Sequence, residues 1–418
     1  MPRTVLDVTR LLTRAAHPVA TGVDRVELAY ARRVLALPPE RAGFAVVVGK
    51  TTAPLPRAAV AAFVGAVERR WSKGAGNAAA AGKLAARLGA PELPAGAASP
   101  AKDEAARLAL RLRGRAVLNL RAPAVAAGDI YVHVSHIRLD RPEPFAALRA
   151  AGADLVTLVH DLIPVRFPEY GRDGEDRRHR ARMTTILDHA TAVIANSADT
   201  ARDFLAFADE NGRAAPPVIP APLGVESGFD RTAAPLQAGT PYFLMLGTIE
   251  PRKNHLTLLH VWRRLAERLG AETPTLVLAG RRGWENEMVI DLLERAPAIR
   301  AHVVEVNDLP DDALSSLMRG ARALLFPSFS EGFGLPLAEA LGVGAPAIAS
   351  DLAVFREVAG EAADYLDPLD GPGWERAVLD CIAPASPRRA AALDRAARYA
   401  PPDWAAHFGI VDPAIGAA

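Results

Sequence analysis

At 418 residues the chain exceeds the size at which a single hydrophobic core normally stops growing, so two domains are the default. Half of its residues are apolar, enough for sizeable cores, and a formal net charge of +1 supplies no global field of the kind that draws nucleic acid. Its single cysteine, Cys381, excludes an intrachain disulfide and fits a reducing compartment.

Asp7 and Arg10 interrupt the apolar N-terminus, so no secretory signal is read there. No apolar run reaches the ~18 residues that suggest a membrane-spanning helix. A cytoplasmic protein is expected, with peripheral attachment at the inner face of the membrane left open.

Short apolar runs suited to buried parallel strands recur along the chain. A first apolar segment leads to a helix over Glu27–Leu37, and strands are expected at Phe44–Val48, Val117–Leu120, Ile130–Val134, Leu155–Val159 and Ala192–Ala195. Between the first two strands, Ser72–Arg115 is rich in Ala and Gly, is interrupted by Pro91, Pro94 and Pro100, and carries Lys73, Lys83, Arg87, Arg111, Arg113 and Arg115. This segment reads as a variable helical excursion with a loosely ordered centre near Ala90–Pro100. The alternative is a basic surface for anionic lipid or a lipid-phosphate acceptor.

The proline-dense run Pro216–Val225 cannot continue a helix and marks a hinge, followed by a polar linker over Glu226–Thr240. A second set of strands is expected at Tyr242–Leu246, Thr275–Ala279, His302–Val306, Ala323–Phe326 and Pro346–Ala349. Helical spacing, as in Leu256, Leu259, Leu265 and Leu269, fills the intervals. Strands alternating with helices predict two doubly wound parallel sheets whose ligands sit at the carboxyl ends of strands. The domain limits follow as 1–225, 226–395 and a terminal segment, 396–418.

Several strand ends carry chemistry. Gly22, in Thr21-Gly22-Val23-Asp24-Arg25, allows a backbone approach that a larger residue would block, whereas Arg25 reads equally well as a surface residue of a first helical turn. His160 and Asp161 end the Leu155 strand. Ser197 is placed to cap the helix after Ala195. Gly247-Thr248-Ile-Glu250-Pro251-Arg252-Lys253-Asn254 follows the Tyr242 strand, and Asn254 is a candidate cap for the next helix. Lys253 is one of only five lysines in the chain, so chance accounts for it poorly. Gly280-Arg281-Arg282-Gly283-Trp284 and Val306-Asn307-Asp308 follow two further strands.

The most informative stretch runs from Leu324 to Asp351. The apolar run ending at Pro327 breaks into Ser328-Phe329-Ser330-Glu331-Gly332-Phe333-Gly334-Leu335, and Pro336 starts a helix containing Glu339. The free N–H groups of that helix point into the loop and favour an anion such as a nucleotide phosphate. Glu331 and Glu339, eight positions apart, suit sugar hydroxyls rather than phosphate. Together these features suggest a nucleotide sugar.

The segment Glu331-Gly-Phe-Gly-Leu-Pro-Leu-Ala-Glu339-Ala resembles the signature of retaining glycosyltransferase family four, and the string from Gly247 to His255 resembles the donor-site motif of its mannosyltransferase-like branch. That resemblance implies an α/β, GT-B architecture of two Rossmann-like doubly wound domains facing a central cleft. It also implies metal-independent transfer of a hexose, from GDP-mannose before UDP- or dTDP-sugars, to a glycan or lipid-linked acceptor. Arg252 and Lys253 would stabilise the departing diphosphate, Glu331 would hold the transferred sugar, Glu339 the ribose, and His160 the sugar from the opposite domain. Gly22, Val23, Gly247, Thr248, Gly280, Val306 and the turn Gly332, Phe333, Gly334 and Leu335 would line the donor site. Trp284 is a stacking platform for the nucleoside or a packing residue. The resemblance further makes Pro222–Val225 the lead into the second domain and has the last helix cross back to the first.

Two departures from the pattern stand out. Thr248 replaces an Arg found in many relatives, and Asp24 replaces a second Gly. No metal-ligand spacing is present, and neither are the Ser-hydrolase or Walker motifs. The rival readings are another GT-B activity, such as a nucleotide-sugar epimerase or a phosphorylase, and a non-catalytic nucleotide-sugar-binding subunit of a synthase.

Overall fold

The computed structural model describes residues 2–72, 78–91, 93, 101–226, 228–229, 231–383 and 385–418. The first sheet contains β1 (Thr4–Asp7), β2 (Ala42–Val48), β3 (Thr51–Leu55), β4 (Ile130–His133), β5 (Asp154–Val159), β6 (Ala192–Ala195) and β7 (Val218–Pro220), in the order β3-β2-β1-β4-β5-β6-β7. Only β3 is antiparallel, paired with β2. The second sheet is parallel throughout. It contains β8 (Tyr242–Leu246), β9 (Thr275–Ala279), β10 (Val303–Val306), β11 (Leu324–Phe326), β12 (Ala347–Ser350) and β13 (Asp364–Leu366), in the order β10-β9-β8-β11-β12-β13.

The central strands are apolar and buried because helices cover both faces of each sheet; Leu324, Leu325 and Phe326, for example, are at most 1% exposed. In the second sheet the strand order reverses between β8 and β11. That switch point sets the loop after β8 beside the loop after β11, where α/β folds open a crevice.

Four strands lay outside the expected set: β1, a buried four-residue strand in mid-sheet that was read only as an apolar segment, and three others, each at a sheet margin. Strand β3 contains Pro54, β7 ends on Pro220, and β13 is three residues long and half-buried. Edge strands tolerate proline and need no continuous apolar run, so the buried-strand pattern misses them. Conversely, Val117–Leu120 is not a strand. Val117 and Leu118 close the helix Ala101–Leu118, and they are 57% and 84% exposed.

The excursion is helical where it is described, over Ala78–Leu88 and Ala101–Leu118, but it is shared between the two domains. Ala105, Ala109, Leu112 and Ala116 pack into the first domain, but Ala81, Leu84, Ala85 and Leu88 of helix Ala78–Leu88 pack into the second domain's core. The Gly239 N–H donates to the Leu88 carbonyl at 2.9 Å, tying this helix to the linker. Lys73, Pro94 and Pro100 lie outside the described residues. No helix among those described is long and apolar enough to cross a membrane.

The two crossings between the domains run side by side. A Cβ at Gly224 would lie 2.4 Å from the Trp404 nitrogen, so this position requires a bare backbone. The Val225 N–H donates to the Pro402 carbonyl at 2.9 Å. The last helix, Trp404–Ile415, then returns to the first domain and buries Phe408, Val411 and Ile415. Each such side chain stabilises that docking by about 1.5–3 kcal/mol. Tyr30 Oη meets His407 Nε2 at 2.8 Å, and Thr4 Oγ1 donates to the Ile415 carbonyl at 2.7 Å.

Candidate active site

The loop after β8 ends in a short 3-10 turn, Pro251–Lys253, and Asn254 reverses the chain with φ +59°. Asn254 makes no side-chain cap. Its Nδ2 donates instead to the carbonyls of Pro327 (3.1 Å) and Pro368 (2.9 Å), which stitches this loop to those after β11 and β13. The Phe329 N–H completes the seam by donating to the Arg252 carbonyl at 2.8 Å.

That seam brings Arg252 and Lys253 onto Glu331. Arg252 Nη1 lies 2.7 Å from Glu331 Oε2, while Lys253 Nζ bonds Oε1, which also accepts from Ser328 Oγ at 2.9 Å. Arg252 Nε pairs with Glu250 at 2.6 Å. Burial by itself would raise the Glu331 carboxyl, but Arg252 and Lys253 outweigh it and hold the group at about 2. Burial raises Glu250 from its ordinary value, against the pull of the two cations. Glu331 therefore first orients Arg252 and Lys253, a task that its spacing from Glu339 does not reveal.

Glu339 has a different environment. It lies in the helix Leu335–Gly342, begun by Gly334 at φ +93° with Pro336 in its first turn. Burial drives its carboxyl up to about 7; Arg25 opposes this, and Asp311 and Glu226 add to it. Arg25 is not a surface residue of a first turn. It reaches from the first domain to Asp311 in the second, with contacts of 2.6 and 2.9 Å. Asp24, at the place of a second Gly, is fully buried; it completes the capping box of helix Gly22–Leu35 and pairs with Arg10 and Arg14.

Across the cleft, His160 is buried, and its Nε2 lies 2.8 Å from the Val134 carbonyl. Burial lowers it to about 4, so the imidazole is neutral near pH 7. Gly332 abuts the same residue: a Cβ there would come within 2.0 Å of the His160 carbonyl oxygen. Ser197 caps its helix by accepting from the Thr200 N–H, as expected, and also donates to the Gly332 carbonyl at 2.8 Å. The domains are thus closed against each other around the glycine turn.

One cavity of about 430 Å³ runs between the domains, and the residues assigned from sequence to the diphosphate, the sugar and the donor lining all border it. Gly22 and Val23 face it from the first helix of the cleft, with Gly22 close against Leu335. Gly247, Thr248, Gly280 and Val306 close its far end, where the Gly280 N–H donates to the Val306 carbonyl at 2.8 Å. A Cβ at Gly280 would meet the Gly247 carbonyl oxygen at 1.8 Å, so these two loops touch backbone to backbone. Asp311 and the inward reach of Arg25 were not singled out from sequence, because the two partners are remote in the chain; Glu250 was quoted only as part of its string, although its partner Arg252 is two residues away. Trp284 turns away from this cavity into a neighbouring hollow.

Residues 227–366 match the family described as Glycosyl transferases group 1. The chain carries a glycosyl transferases group 1 domain. That domain comprises the second sheet with both glutamates and both cations. Over 254 residues, 56% of this chain, the sequence is 33% identical to the serotype-specific mannosyltransferase WbdA of Escherichia coli, of whose length the match spans 31%. In fold, it is similar to sucrose-phosphate synthase from Thermosynechococcus elongatus (TM-score 0.62, 17% identity, 99% of this chain and 98% of that one). It is also similar to Anabaena Alr3699/HepE, solved in complex with UDP (TM-score 0.58, 16% identity, all of both chains). The architecture is GT-B: two Rossmann-like domains with the transferase domain second.

Proposed function

We propose that this chain is a retaining, metal-independent glycosyltransferase. It moves a hexose from a nucleotide-diphosphate sugar, GDP-mannose before UDP- or dTDP-sugars, to a glycan or lipid-linked acceptor in polysaccharide biosynthesis. The observation that carries this reading is the Arg252–Glu331–Lys253 cluster, which faces His160 and the glycine turn within one interdomain cavity. The similarity to a mannosyltransferase supports the choice of sugar.

In this reading the diphosphate lies against Arg252, Lys253 and the amides at the start of helix Leu335–Gly342. These charges and dipoles are set before reaction and stabilise the negative charge that develops as the sugar departs. The acceptor hydroxyl oxygen bonds to C1 on the face that the phosphate oxygen is leaving, and its proton passes to the departing diphosphate. Glu331, already ordered by the cations, accepts hydrogen bonds from the sugar through its remaining lone pairs. Glu339 accepts from the ribose, and neutral His160 contacts the sugar from the first domain.

A thermal-shift series with GDP, UDP, dTDP and ADP tests donor binding, and GDP is expected to stabilise most. Lys253→Ala is expected to lower turnover by about 10²–10³-fold, the usual cost of removing one preorganised donor. Near-wild-type turnover of that variant would contradict the role given to Lys253. If a nucleotide binds saturably but the chain alone turns nothing over, the protein is instead the binding subunit of a synthase.

Membrane contact, if made, belongs to the exposed face of helix Ala101–Leu118. Leu110 (71%), Val117 and Leu118 are uncovered there beside Arg111 and Arg115. Flotation with phosphatidylglycerol vesicles is expected to carry the protein, and flotation unchanged in Leu110→Gln/Leu118→Gln removes this part of the reading.

A further inference from the structure

Beside the donor cavity lies a second hollow of about 330 Å³. One wall belongs to the first domain and comprises the loop around Tyr170 and Arg172 together with Glu175, His179 and Arg182 of helix Glu175–His189. The other wall brings Trp284 from the second domain. Asp161, Glu250 and Arg252 line both hollows, so the two spaces meet where the leaving group would be held.

The hollow is built rather than incidental. Trp284 Nε1 donates to the Tyr170 carbonyl at 3.1 Å, and the Arg172 guanidinium lies 5.1 Å from the Trp284 ring centre. The Tyr170 ring stacks on Phe329 of the second domain, 5.6 Å between centres and 8° from parallel. The rings of His136 and His179 meet edge-on at 5.0 Å.

Its charges are largely spoken for within the protein. Arg182 pairs with Glu175 at 2.6 Å, and Arg252 pairs with Glu250 and Glu331. Burial lowers both His136 and His179 below the usual imidazole value, which leaves them neutral at pH 7. Arg172 is exposed and held over the indole, so it supplies one cation and no focused anion site. Aromatic walls with a few paired polar groups suit a ring that is apolar on its C–H face and hydroxylated at its rim.

We propose that this second hollow is the acceptor subsite, and that it takes a neutral hexose unit of a glycan rather than a sugar phosphate. The inference rests on the proposed function, because it places the acceptor next to the donor cavity. A hexose held between Trp284 and the Glu175–Arg182 pair would direct a hydroxyl past Asp161 toward the sugar at Glu331. Trp284 then acts as a specificity residue contributed by the donor domain, so the subsite is complete only when the two domains are closed.

The test uses the full chain saturated with GDP, with ligand-observed NMR of methyl α-D-mannoside, methyl α-D-glucoside and methyl α-D-galactoside, and of mannose 6-phosphate and glucose 6-phosphate. At least one neutral glycoside is expected to bind more tightly than either phosphate. Trp284→Ala and Glu175→Gln are each expected to weaken that glycoside about tenfold, the scale of one lost hydrogen bond or stacking contact. The dissociation constant for GDP should stay within about twofold, since neither residue lines the donor cavity. Tighter binding of a phosphate, binding of no neutral glycoside, or unchanged affinity in both variants overturns the proposal. Should Trp284→Ala melt early, Glu175→Gln carries the test. If none of the four nucleoside diphosphates binds, the proposed function itself falls, an outcome distinct from GDP binding without a neutral acceptor.

Discussion

Glu331 and Glu339 share one loop-and-helix segment and one cavity, yet the protein treats them in opposite ways. Glu331 sits among cations: Arg252 takes one oxygen, Lys253 the other, and the carboxyl is held at about 2. Glu339 sits among other acids, with Arg25 committed to Asp311, and burial carries it to about 7. The same residue type thus serves as an ionic strut at one end of the cavity and as a destabilised acceptor at the other. The contrast shows that a paired-glutamate motif fixes positions, while neighbours remote in the chain fix the charge state.

The contrast predicts opposite signs for the same substitution. Glu331→Gln leaves Arg252 and Lys253 buried without their shared partner, and should destabilise the unliganded protein by about 3–5 kcal/mol in denaturant unfolding at pH 7. A lowered folded value means that the Glu331 contribution is present above pH ~4.5 and is lost as pH falls toward 2. Added nucleoside diphosphate should recover part of the loss, because its charge replaces the missing carboxylate. A variant as stable as the parent at pH 7 would show that solvent, not Glu331, balances the two cations.

Glu339→Gln should do the reverse. A carboxyl raised from 4.5 to about 7 contributes stability below pH ~4.5 that disappears as pH rises through 7. At 1.36 kcal/mol per pH unit, the strain at pH 8 is about 3 kcal/mol. The amide variant should therefore melt higher than the parent at pH 8 and show a flatter melting profile between pH 5 and 8. Its affinity for a nucleoside diphosphate should fall by about tenfold, since the ribose loses an ionised acceptor. A lower melting temperature at pH 8 would mean that Glu339 is paired and ionised after all, and the contrast would disappear.

Much of this arrangement was legible before folding was considered. The run from Ala323 to Phe326, the glycine turn and Pro336 specify strand, loop and helix start by local rules alone, and the structure places them at β11 and Leu335–Gly342. Ser197 capped as its residue type requires. The readings that failed depended on packing. Asn254 was drawn from a cap into a bridge between two loops. Arg25 was drawn from the surface into an interdomain pair. Val117–Leu120 has a strand-like composition, but it continues a helix whose inner face was already determined by Ala109, Leu112 and Ala116.

By itself, the sequence determined most of the buried strands and the helices between them, because periodicity, glycine and proline act within a few residues. It also determined which polar groups arrive at strand ends, since buried central strands can place them nowhere else. Only the tertiary structure decided which loops would meet at the β8/β11 switch point, and that Arg25 and Trp284 would each reach across to the other domain. The protonation of Glu331 and Glu339 was decided there too, because a charge's energy depends on burial and on partners within a few ångströms, and neither is a property of sequence neighbours.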